Sequence, residues 1–209
     1  MRSRLLFLAI GLVVGVALTA GATWANGFRT QASTRVSTDG SSFVGLVSDA
    51  APEATYTFAA ARVCKKGPAQ VKITHVRIGK TINAVKLVDF AVAPAAATSH
   101  RVRGDIAAYL KEIDPPLISP PTRTLSTRCS PQHNDLRDVI VELRLPDRAH
   151  LPAAAVDFVI DYTVRGHSKS FRSGTGITFC VGEDADKQFD QRFDDDQGND
   201  LIAPCTDSD

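Results

Sequence analysis

Four cysteines carry the most constrained chemistry in this chain: Cys64, Cys129, Cys180 and Cys205. None lies in a C-x₂-C pair, so their spacing does not suit a zinc site. Cys129 and His133 form a C-x₃-H pair, but no second pair completes a ligand set. An even number of cysteines without metal spacing reads as two disulfides formed in an oxidising compartment. Three pairings are open. Sequence order favours Cys64 with Cys129 and Cys180 with Cys205. The second bridge would close a loop of about 25 residues, worth about 3 kcal/mol in the chain-entropy model.

The second donor-rich set is acidic. Asp184, Asp186, Asp190, Asp194, Asp195, Asp196, Asn199 and Asp200 offer the hard oxygens that Ca²⁺ prefers. Asp190, Asp194, Asp196 and Asp200 are the calcium candidates, and Ca²⁺ is the one cofactor the composition suggests. The EF-hand spacing is not met: Gly198 falls four residues after Asp194 rather than five, and no Glu closes the loop. The competing reading is a solvated acidic tail.

Other chemistry finds little footing. The histidines His75, His100, His133, His150 and His167 are scattered, with no H-x-x-x-H or H-E-x-x-H among them. They read as surface or loop residues. There is no G-x-S-x-G elbow, and Ser173-Gly174-Thr175-Gly176 falls within a hairpin pattern. No G-x-G-x-x-G or P-loop supports a nucleotide. The basic residues lack the interleaved aromatics of a nucleic-acid surface. No catalytic residue is assigned. The expected function is an extracytoplasmic, non-enzymatic binding or structural module held at the membrane surface. Two alternatives stay open: a secreted hydrolase of unrecognised type, since triad members need not be near in sequence, and a calcium-dependent adhesion module using the acidic tail.

The placement of these residues begins with residues 1–25. Arg2 and Arg4 precede an apolar run that carries no charge until Arg29. The basic flank stays on the cytoplasmic side. Residues 5–18 suit the h-region of a signal peptide, and the small residues that follow suit cleavage after Ala25 or Ala22. Residues 5–25 also have the length of a spanning helix, with Trp24 at its outer interface. Both a signal anchor and a cleaved peptide put the rest of the chain outside the cytoplasm. The chain is thus expected either at the cell membrane, single-pass with its domain outside, or secreted. Residues 26–42, rich in Ser, Thr and Gly, read as a polar linker.

The net charge of +1 hides an asymmetry. Residues 183–209 hold ten acids and two bases, so residues 1–182 carry +9. A basic body with an acidic tail allows an electrostatic partner, although such a tail can also fold back on its own body.

Residues 43–182 read as the folded domain. Strand patterns recur at residues 43–47, 55–64, 70–78, 81–92, 124–129, 136–145 and 155–165, and again across 168–181. The apolar phase shifts between Val71/Ile73 and Val76/Ile78, which predicts a β-bulge near Thr74 or His75. In residues 136–145 the apolar Val139, Val141, Leu143 and Leu145 alternate with Asp138, Glu142 and Arg144, the pattern of a strand with one wet face. Val156, Phe158, Ile160, Tyr162 and Val164 repeat it. Gly166-His167 predicts the turn of a terminal hairpin, with Gly174 and Gly176 interrupting its ladder. Gly104-Asp105 starts one short helix that buries Ile106, Tyr109 and Leu110. The fold class is mainly β, an antiparallel β-sandwich, with one N-terminal hydrophobic helix and at most one short helix in the domain.

The basic leader, the strand ending at Cys64 and followed by KKGPAQVKITHVRI, and the final DYTVRGHSKSFRSGTGITFC hairpin together resemble exported or membrane-anchored β-sandwich proteins of actinobacteria. The resemblance covers roughly residues 50–182 and implies an immunoglobulin-like fold and an extracytoplasmic place. It carries over no catalytic residue. The antibody pattern itself is absent, because the only Trp lies at position 24.

Overall fold

The computed structural model describes residues 34–38, 44–95, 101–113, 122–130, 136–181 and Cys205. In chain order the elements are β1 (Arg35–Thr38), β2 (Val44–Val47), β3 (Thr55–Lys66), β4 (Val71–Ile82), β5 (Lys86–Pro94), β6 (Arg101–Arg103), α1 (Ile106–Glu112), β7 (Thr124–Leu125), β8 (Arg137–Arg144), β9 (Ala153–Val164), β10 (His167–Arg172) and β11 (Gly176–Phe179). They build two sheets. The first runs β1–β3–β8–β5, with β6 also on β3; the second runs β2–β11–β9–β4–β7, with β10 also on β9. The pairings are antiparallel except β2 with β11, which is parallel.

The two sheets share one apolar core. Phe58 of β3 meets Phe158 of β9 edge to face at 5.7 Å between ring centres, and Tyr56 meets Phe179 of β11 at 5.4 Å. Val63, Ile73, Val141, Leu143 and Ile160 fill the space around these rings with essentially no exposure. Each such side chain contributes on the order of 1.5–3 kcal/mol by leaving water. The Tyr56 hydroxyl stays satisfied by accepting from Ala51 N at 2.9 Å.

One short segment stitches the sheets together. Residues 122–129 begin at the edge of the first sheet, where Val92 N donates to Thr122 O at 2.7 Å. They then reach the edge of the second, where Ile73 N donates to Arg123 O and β7 pairs with the start of β4. They finish back on the first sheet: Lys65 N donates to Thr127 O and Cys129 N to Lys65 O, both at 3.0 Å. Leu125 drives this path, since it is fully buried in the shared core. The Cys64–Cys129 disulfide locks the end of the segment to β3, and Cys180–Cys205 forms the second bridge. Both pairings are those favoured by sequence order.

The β4 bulge is present, with the β4–β9 register shifting between Ile73 and His75. Other expectations change. β1 lies inside the stretch read as linker and pairs with β3 from Thr38↔Val63 to Arg35↔Lys66. The described fold therefore includes residues 34–38, because Ser and Thr suit an edge strand as well as a linker. Residues 81–92 are not one strand. Asn83 and Ala84 both take positive φ and turn the chain from β4 in the second sheet to β5 in the first. Val88 then sits at a register shift and is 53% exposed. The hairpin turn falls on Arg165-Gly166, both at positive φ, rather than on Gly166-His167.

The alternation of β9 also breaks at one point. Val156 shares its sequence parity with Phe158 but packs with Ala154 and Ile82 in a separate cluster rather than in the main core. Asp157, at φ 59°, flips the strand between the two. Its partner position on β4 is Gly79, where a Cβ would lie 2.3 Å from Asp157 O, so only glycine fits.

The stitching segment carries a stability prediction. Replacing Cys64 and Cys129 together by alanine frees a loop of 65 residues. Urea unfolding of that variant is expected to show a loss of about 4 kcal/mol in the chain-entropy model.

Candidate functional site

The outer faces of the two sheets differ in what they expose. On the first sheet the outer face is roofed by α1. Asp105 caps the helix by accepting from Ala108 N at 2.8 Å, and Glu142 of β8 accepts from Ile106 N at 3.2 Å. Ile106, Tyr109 and Leu110 pack down on Ala91, Ala93, Val102 and Ile140. The helix thus buries the face it was expected to bury. On β8, however, the expected wet face is mostly covered: Asp138 is 1% exposed and Ile140 0%, Glu142 is half-buried, and Arg144 at the strand's end stays exposed. The alternation in residues 136–145 is real, but the helix covers the part of its polar side around Asp138.

Three polar groups meet under that roof. The Asp138 carboxylate faces the Arg62 guanidinium, with Nε to Oδ1 at 3.0 Å. A carboxylate this buried requires such a cation. The Tyr109 hydroxyl is buried without a hydrogen-bond partner among the described residues. Burial pushes it up to about 12, the Asp138 charge adds to the rise, and Arg62 opposes it. Sequence reading placed Tyr109 on the buried face of the helix but did not single out Arg62 or Asp138. Asp138 looks like any solvated residue of an alternating strand. Only the helix arriving from elsewhere in the chain buries it.

Among the described residues, no element covers the outer face of the second sheet. Arg77 of β4 pairs with Asp161 of β9 at 3.2 Å, and Arg172 of β10 pairs with Asp157. Pairs as exposed as Arg77–Asp161 contribute at most about 1 kcal/mol. Lys72, His75 and Lys80 are exposed beside them. Ser173, the serine of the S-G-T-G stretch, is held by the hairpin: its Oγ accepts from Phe158 N and Thr175 N, each at 3.2 Å.

The described histidines are at the surface, as expected. His75 and His167 are exposed, and His150 lies 2.7 Å from Asp147. That pair closes the short 3₁₀ turn Arg148–His150, for which Asp147 is the N-cap. The hydrogen bond to His150 holds the Asp147 carboxyl below its ordinary value. His100 and His133 lie outside the described residues, as do the calcium candidates Asp190, Asp194, Asp196 and Asp200. Among the described residues no group of three or more His, Cys, Asp or Glu is placed to hold a metal ion. Cys205, the one described residue of the tail, packs on Ile82, Ala154 and Val156. No helix among the described residues is long and apolar enough to cross a membrane, and residues 5–25 fall outside them.

The buried tyrosine gives a pH prediction. The unfolded chain releases the Tyr109 proton near its ordinary value of 10.0 and the folded chain near 12. Its contribution to stability is therefore complete below the lower value and is lost as pH rises toward the higher one. Tyr109→Phe should remove that alkaline loss. At neutral pH the substitution deletes an unpaired buried hydroxyl, so stability should hold or rise by up to about 1 kcal/mol. Urea unfolding at about pH 8 and about pH 11 checks both effects. No protein-family model matches the sequence, and no curated protein aligns with it significantly.

Proposed function

We propose that this chain is an extracytoplasmic, non-enzymatic binding or structural module, built on an immunoglobulin-like β-sandwich and held at the membrane surface through residues 5–25. The observation that carries the reading is the pair of disulfides, Cys64–Cys129 and Cys180–Cys205. Such bonds belong to an oxidising compartment outside the cytoplasm. The immunoglobulin-like assignment draws support from the N-terminal edge, which is divided between the sheets. β1 pairs antiparallel with β3 in one, and β2 pairs parallel with β11 in the other. The resemblance to exported actinobacterial β-sandwich proteins points the same way.

A binding role is supported by the contrast between the two outer faces. The first sheet spends its outer face on α1. The second leaves β4, β9 and β10 open, with Thr163 half-buried between Lys72 and Ser168 on the strands either side. A photo-crosslinking residue in place of Thr163, in cells making the full chain, tests this face directly. The expected result is a discrete adduct of higher mass from Thr163 and none from a matching substitution at Ala108 on the first sheet's helix. Adducts from Ala108 alone, or from neither position, would reject the second sheet as the binding face.

A further inference from the structure

The charge of this domain is not spread evenly between its two ends. One end gathers the β3–β4 turn, the β9–β10 turn and the starts of β1, β4 and β8. Their proximity follows from the registers: Arg35↔Lys66 and Val63↔Arg137 in the first sheet, Val71↔Val164 and His167↔Val164 in the second. Residue Arg128 joins them through its bridge to Lys65. The exposed cations here are Arg35, Lys66, Lys72, Arg128, Arg165 and Lys169. Among the described residues, none of the six belongs to an ion pair, and the carboxylates that border this end, Asp138 and Asp161, are paired with Arg62 and Arg77. In the sequence, the connection 131–135 adds a single acid, Asp135.

The opposite end is mixed. There Asp49, Glu53 and Asp147 share the end with Lys86, Arg144 and Arg148, although Lys86 also stands opposite Arg144. A basic composition alone would not separate the two ends in this way. The concentration also carries a cost, since Arg35 and Lys66 stand directly opposite each other across β1 and β3. Like charges in that position destabilise a strand pair.

The same end is where the chain enters the domain. Thr34 is fully buried against the β3–β4 turn: a Cβ on Gly67 would lie 2.5 Å from Thr34 Oγ1, and Lys169 Nζ donates to Thr34 O at 3.4 Å. The turn is braced from within by Lys65, whose buried ammonium donates to Ala69 O at 2.9 Å and Pro68 O at 3.3 Å. Only residues 26–33 separate Thr34 from the apolar run that ends at Ala25. Fully extended, they reach at most about 30 Å.

We infer that this disulfide-bearing, predominantly basic end of the domain docks on the surface of an anionic phospholipid bilayer. The inference rests on the proposed membrane-held reading and gives it an orientation. If residues 5–25 lie in the bilayer, the short connection delivers this end, and not the mixed one, to the headgroups. Each Lys or Arg brought within a screening length of an anionic bilayer raises the partition roughly fivefold. The rigid turns then hold several cations at that distance together.

Lysine footprinting of the full-length protein tests the orientation without altering the fold. The protein is mixed with vesicles of phosphatidylcholine alone, or of phosphatidylcholine with phosphatidylglycerol, and treated with an amine-reactive label. Modification is read residue by residue by mass spectrometry, and vesicle flotation is measured in parallel. The expected result is about fivefold or greater protection of Lys66, Lys72 and Lys169 in anionic vesicles only. Lys80, Lys86 and Lys111 should label equally in both, and the protection should vanish at about 1 M salt, where the screening length is ~3 Å. Equal labelling at Lys66, Lys72 and Lys169 in both vesicles, in protein that floats with both, would overturn the docking and leave the membrane-held reading standing. Flotation with anionic vesicles only, with Lys66, Lys72 and Lys169 protected, would support the docking and reject the anchor. Protection by soluble polyphosphate but not by anionic vesicles would overturn the bilayer as partner.

Discussion

The structure depends on the backbone hydrogen bonds of residues 122–129. Two sheets packed face to face are held mainly by their apolar side chains, and those are not directional. This segment adds direction. It bonds to β5 on one sheet, to β4 on the other, and to the end of β3 on the first again. Leu125 anchors it in the shared core, and the Cys64–Cys129 bridge fixes its far end. The edges of β4 and β5 are thereby covered over part of their length, which also protects them from pairing with other chains.

Closing the sheets in this way leaves the outer faces to differ. The first sheet carries small residues there, Ala91 and Ala93 on β5, so a short helix can settle close to the backbone. The helix has only seven residues, too few to stand alone in water. It is held by Asp105 at its cap, by Glu142 reaching its first turn, and by the burial of Tyr109. The Arg62–Asp138 pair is enclosed beside it. The second sheet carries ion pairs and threonines on its outer face and stays open to solvent. Among the described residues, the domain is thus covered by its own chain on one face and exposed on the other.

Much of this was legible in the residues, and the gaps have physical causes. Alternation exposed β9 and the core side of β8, the phase shift in β4 exposed its bulge, and Asp105 with its apolar spacing exposed the helix. Cysteine order was enough for both bridges. What periodicity could not report was anything set by a distant part of the chain. Asp138 reads as solvated until the helix covers it. Val156 reads as core until Asp157, at positive φ, turns it to the other face. Residues 35–38 read as linker because their composition is polar, yet all of them pair with β3 along one edge. The gathering of cations at one end was equally hidden, since Arg35, Lys72, Arg128 and Lys169 are far apart in sequence.

The two disulfides fit an oxidising compartment, and the proposed docking of the basic end builds on that placement. The oxidation state of the cysteines underlies all of it. Intact mass spectrometry of the natively isolated protein, alkylated before and after reduction, measures that state directly. The account predicts no alkylation of Cys64, Cys129, Cys180 or Cys205 before reduction and modification of all of them afterwards. Alkylation of these cysteines in the unreduced protein would contradict it.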